Sequence, residues 1–221
     1  CEVSPERRLG FEPGRRFGIW RTVLGPSNDP VGSEAIALLA RKRRTTHFVR
    51  PHQEWFRKWE PYETMVAPSC YLNACSWPAP PGTITLAEPW TEEGDFEPME
   101  RTVLGFASHP QLRWRASARV GEHFITRMTF LEDKPPPEVQ LGDPQWDQHV
   151  VTRAWSGQEA ASAFHPGLRQ LLAGWGFQGH LELRAGGLVV HYAGLAPTPD
   201  HYERMSRIVP QIVTAALGGS R

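Results

Sequence analysis

Few groups in this 221-residue chain have types and spacings that could do chemistry. Asp143 and Asp147 flank Trp146, and His149 follows Asp147 at strand spacing. Carboxylates beside an imidazole are the parts of an acid–base site, where one group moves a proton and another tunes it. Asp143-Pro144 is equally a turn signal. Asp147 and His149 would share one face of a strand, where pairing is structural. His180 and His191 fall on two alternating runs joined by Gly186-Gly187. With a two-residue Gly-Gly turn, Ala185 pairs with Leu188, and His180 faces Ala193, diagonal to His191. Two imidazoles could cradle a metal there, but Glu182 is the only carboxylate nearby, so no metal is expected. His47 and His52 have Pro51 between them, a spacing that suits neither a helix face nor a strand face.

Other chemical signatures are missing. No Gly-x-Ser-x-Gly nucleophile elbow occurs. Gly174-Trp-Gly-Phe-Gln-Gly179 has glycines at dinucleotide-binding spacing, but it precedes a strand where that motif must open a helix. No cofactor is expected. Cys70 and Cys75, in Ser69-Cys-Tyr-Leu-Asn-Ala-Cys75, read as a loop whose ends could be joined by a small disulfide if the Cα atoms approach within about 7 Å. An oxidising compartment would favour that bond. A zinc site would need two further ligands, and none stands at the usual spacing. Cys1 at the head of the sequence is expected to carry the lipid of a processed bacterial lipoprotein. The plainer alternative is a boundary that happens to fall at a cysteine.

Formal net charge is zero, so no global field recruits nucleic acid or an anionic membrane. The hydrophobic content of 40% is ordinary for a globular chain and supplies a core. No run approaches the roughly 18 apolar residues of a spanning helix. Thr45 to Trp59 interleaves basic residues with Phe48, Trp55, Phe56 and Trp59. Such a mixture can stack on bases or sit among lipid headgroups. The spacing of Trp55, Phe56 and Trp59 also fits a buried helical stripe, and nucleic-acid binding is not expected. Together with Trp77 and Trp90 these rings mark the candidate interaction surface. Arg113, Arg115 and Arg119 form a row best read as a solvated or ion-paired face.

The elements that must position these groups follow from pattern. A strand is expected at Phe17–Leu24 and a helix over Ser33–Arg43, capped by Ser33 and closed by Arg41-Lys42-Arg43-Arg44. Pro61–Gly94 reads as a Pro-rich loop region with one strand, Thr83–Leu86. Strands follow at Thr102–Ala107, Leu112–Val120 and His123–Leu131, the last two as a hairpin. Beyond Lys134-Pro-Pro-Pro137, a stiff linker, come a strand at His149–Trp155 and a capping box, Ser156 to Glu159. Helices over Gly157–Phe164 and Pro166–Ala173 are next, then a hairpin of His180–Ala185 and Leu188–Tyr192. A last helix reaches Leu217, kinked or split at Pro210. The fold class is therefore α+β. Residues 1–134 form a β-rich part with one N-terminal helix and long Pro-rich loops. Residues 138–221 form a β-α-α-β-β-α layered module, separate or continuous with the first part.

These readings lead to an expected non-enzymatic bacterial cell-envelope protein, periplasm-facing or at the outer membrane. It would be lipid-anchored through Cys1 and act as an accessory or binding subunit with a protein partner. Two alternatives stand beside it. One is a cytoplasmic ligand- or protein-binding domain. The other is an enzyme whose cleft gathers Asp147 and His149 with His180 or His191.

Overall fold

The structure is a computed structural model that describes residues 30, 32–57, 70–90, 101–121 and 136–218. The expected strands Phe17–Leu24 and His123–Leu131 lie outside these residues.

Helix α1 (Ser33–Arg43) has the bounds its pattern predicts, although Gly32, at φ 92°, is its N-cap and Ser33 Oγ donates to the Pro30 carbonyl. The chain turns straight into β1 (Thr46–Phe48), with Thr45 N–H donating to the Ala40 carbonyl. After the short α2 (Gln53–Arg57) come β2 (Cys70–Ala79), β3 (Gly82–Trp90), β4 (Leu104–Ser108) and β5 (Ala116–Val120). The C-terminal part adds α3 (Pro144–Asp147), β6 (Val150–Ala154), α4 (Gly157–Ala163) and α5 (Pro166–Gly174). It ends with the hairpin β7 (Gly179–Arg184) and β8 (Gly187–Tyr192), then α6 (Pro199–Gly218). This is an α+β fold built on one eight-stranded antiparallel sheet, in the order β1-β2-β3-β4-β8-β7-β5-β6. Strand β5 lies between β6 and β7, so both its edges are filled. Strand β4 pairs with β8 and joins the two parts of the chain in one sheet.

Among the described residues, helices α1, α4, α5 and α6 cover one face. Ile36, Ala160, Phe164, Leu168, Leu172, Met205, Val209 and Ile212 meet Ile84, Leu86, Ala107, Ala118, Leu181, Leu183, Leu188 and Val190 in the main core. Side chains alternate across a strand, so Leu104, Phe106 and Val189 face the other way. There they pack with Phe56, Tyr71, Ala74 and Ala87. Phe56 stacks on Tyr71 at 4.0 Å between centroids, and Phe106 meets both edge-on at 5.4 and 5.5 Å. Gln53 holds α2 to β2: its side-chain oxygen accepts from Tyr71 N at 2.7 Å and its amide donates to Tyr71 O at 3.0 Å.

Three expectations change. The Pro-rich stretch is a long hairpin of β2 and β3, turning at Pro80-Pro81. Proline removes a ladder donor and is tolerated where no neighbour needs one. Pro78 lies past the reach of β1, and Pro89 past the reach of β4. The second change is in the β7–β8 register. Arg184 pairs with Gly187, so the turn is Ala185-Gly186 with Gly186 at φ 86°, and His180 lies directly opposite His191. Both registers send the leucines to the core; contacts with the preceding loop decide between them. His109 N donates to Gly186 O at 2.9 Å, and Gly186 N to Leu112 O at 2.8 Å. Third, α6 is a single helix through Pro210. Its buried stripe on the sheet spans both sides of the proline, and Gln211 donates its side-chain amide to the Arg207 carbonyl beside the gap.

Candidate functional site

Among the described residues a groove of about 350 Å³ lies between α5 and the corner where α3 meets β6. Asp143 caps α3, its Oδ1 accepting from Trp146 N at 3.3 Å, and Pro144 takes the first helical position, where no donor is needed. Trp146 is thereby turned inward. Its indole N–H donates to Thr152 Oγ1 at 2.8 Å, and its ring leans on Phe164 at 5.8 Å. Opposite, the His165 ring accepts from Gly167 N at the head of α5. Arg169, one turn on, donates to the Phe164 carbonyl at 2.9 Å and pairs with Asp143 at 3.1 Å. The floor is apolar, with Val120, Trp146, Val150, Leu172 and Phe177. Gln145, His149, Gln170 and Gln178 supply most of the polar rim.

The structure separates the expected acid–base set. The Asp147 carboxylate turns back on its own loop and accepts from the amides of Leu141, Gly142 and Asp143 at 2.9, 2.9 and 3.1 Å. His149 is exposed at the groove rim. His180 and His191 lie on the sheet face opposite to the one carrying Trp146, because their neighbours Leu181 and Val190 point into the main core. No cleft gathers the four.

On that opposite face a buried polar row replaces it. His180 Nε2 is 3.2 Å from Glu182 Oε2, Arg184 donates to Glu182 Oε1 at 3.2 Å, and His191 Nε2 meets Thr102 Oγ1 at 3.0 Å. Arg119 stands opposite His180 on β5. The alternation of His180, Glu182 and Arg184 was a readable signal; the contribution of Thr102 was not. Among the described residues no group of His, Cys, Asp and Glu is arranged to hold a metal ion. Arg115 holds its guanidinium 5.9 Å from the Trp155 ring centroid, and Arg113 is exposed.

The cysteines require a correction. Cys70 and Cys75 both lie on β2 and are not bonded to each other. A strand rises about 3.3 Å per residue, which carries them well beyond the roughly 7 Å a disulfide spans. Burial pushes the Cys75 thiol up to about 12. It lies at the floor of a second cavity, about 230 Å³, between α1 and α6.

The aromatic surface is also reassigned. Phe56 and Trp90 are buried, and Trp55 and Trp77 are half-buried against the two cores. The rings find apolar neighbours on the sheet, which is worth more to them than solvent. Cys1, with its expected lipid, and Trp59 lie outside the described residues. No helix among the described residues is long and apolar enough to cross a membrane.

Comparison of the chain with known protein families, curated proteins and solved structures finds no match.

Proposed function

We propose that the chain is a non-enzymatic binding protein, an accessory subunit, whose ligand site is the groove between α5 and the α3–β6 corner. The observation that carries this reading is the state of the charges at that groove. Asp143 and Arg169 neutralise each other, and each is also tied to backbone. A reaction centre needs a proton-transfer group and a partner that tunes it. Here His149 stands exposed at the rim, with the Asp147 carboxylate turned away to its own loop. The other rim groups are mainly neutral amides over an apolar floor. Pockets of this kind bind by burying an apolar body and fixing it with a few polar contacts. The fit is to a neutral aromatic or branched group bearing an amide, as in one side chain of a peptide segment.

N-acetyl-tryptophanamide and its acid form, N-acetyl-tryptophan, serve as probes by ligand-observed NMR. The amide is expected to bind more tightly than the acid. Ala173→Trp, which fills the groove from the exposed side of α5, should abolish binding while the melting temperature holds. Binding of the amide that survives Ala173→Trp, or chemical conversion of the bound probe, would sink the reading.

A further inference from the structure

Among the described residues β1 is the terminal strand of the sheet, paired only with β2. An edge strand offers unmatched N–H and C=O groups, a template for another chain. The register places Thr46 and Phe48 beside Ser76 and Ala74, on the second face of the sheet, and His47 beside Cys75 on the helix-covered face. Phe48 is 56% exposed and offers an apolar ring at this edge. The last turn of α1 and its C-cap, just before β1, carry Arg41, Lys42, Arg43 and Arg44. Arg43 pairs with Glu203, while Arg41, Lys42 and Arg44 are exposed and enter no ion pair among the described residues. The whole chain is neutral, so this positive corner is a local excess.

We propose that β1 is a docking edge for an extended acidic segment of a partner protein, which adds a strand to the sheet. Such addition draws affinity from main-chain hydrogen bonds and specificity from alternate side chains. The partner's carboxylates would lie toward Arg41, Lys42 and Arg44, and its apolar residues on the opposite face, along Phe48. Charge complementarity selects the partner and speeds encounter. A nucleic acid would satisfy the arginines and could stack on Phe48, but it could not continue the backbone ladder.

Fluorescence anisotropy on the full chain at low salt decides this, with three labelled probes: a peptide alternating Glu and Val, a peptide alternating Lys and Val, and single-stranded DNA. The Glu/Val peptide is expected to bind, with slowed amide exchange at Thr46–Phe48. Combined charge reversal R41E/K42E/R44E should weaken it at least about tenfold, since several contacts are lost together. Phe48→Ser should weaken it independently of salt. All four positions are exposed, so unchanged melting temperatures verify folding of the variants. No binding of the Glu/Val peptide overturns the proposal and leaves the basic run as a guard on the edge. DNA binding equal to the peptide's, or indifference to Phe48→Ser, also overturns it.

Discussion

Arg101 grips Glu88 at two points, Nε to Oε1 at 2.6 Å and Nη2 to Oε2 at 2.9 Å. Asn73 donates a third hydrogen bond to Oε2 at 3.1 Å, and the buried Tyr202 hydroxyl donates to the Asn73 carbonyl at 2.8 Å. Strands β2 and β3 and the approach to β4 thus meet at one carboxylate, on a residue that is 3% exposed, and α6 joins them through Asn73. Removing one partner of such a pair leaves a buried charge uncompensated, a loss of roughly 3–5 kcal/mol. The Arg101 side chain is 35% exposed, so Arg101→Ala should fall at the lower end of that range in urea unfolding. Arg101→Lys should recover little, because an ammonium cannot make the two-point contact.

At Gly105 side chains of α6 pack directly against the sheet backbone. A Cβ there would lie 2.5 Å from Val209 Cγ2, 3.0 Å from Val190 Cγ1 and 3.1 Å from Met205 Cε. Gly105→Ala is expected to destabilise by about 1–3 kcal/mol, as overpacking does. The double variant Gly105→Ala, Val209→Ala should recover part of the loss. Additive losses in chemical denaturation would contradict this contact.

Cys75 should be a slow thiol. With its pKa raised from 9.0 to about 12, its thiolate population at pH 8 is lower by about a thousandfold. Labelling with a thiol reagent is expected to be correspondingly slow in the native protein and to reach the ordinary rate in denaturant. The raised value also means that the neutral thiol's contribution to stability is present below pH 9 and is lost as pH rises toward 12. Fast native labelling of Cys75, mapped by peptide mass, would contradict the burial.

His47 gives a test on the acid side. Burial is the larger cause and the Arg41 charge adds to it; together they hold the imidazole below its ordinary value, against a hydrogen bond with Asn73. The unfolded chain therefore takes up the proton first as pH falls. Stability from this group is present above about pH 6.5 and is lost as pH drops through the lower folded value. The urea midpoint should fall less between pH 7 and pH 5 in His47→Gln than in the unaltered chain.

Local grammar carried over well where each element could be read from its own residues. The bounds of α1 hold, and the capping box is half present: Ser156 accepts from Glu159 N, while the Glu159 carboxylate takes the Arg115 amide. Prolines hid the β2–β3 hairpin because a missing donor reads as a break until the neighbouring strands are known. The β7–β8 register turned on backbone bonds from His109 and Leu112. Of the groove, Asp143, Trp146 and His149 were visible as a cluster, but Arg169 was not, since its pairing with Asp143 depends on how α5 docks. The Glu88–Arg101 pair left no local trace either.

The strand order also says something about how the chain is made. Leu104 waits for His191, and β5 waits for both β6 and β7, so most pairings bridge long stretches of sequence. Such high contact order slows folding, because loop closure precedes its reward. During synthesis the β2–β3–β4 meander emerges with the open edge of β4 unfilled until β8 follows. An open edge at that stage invites pairing with another nascent chain. The β4 edge is filled only when nearly the whole polypeptide is present.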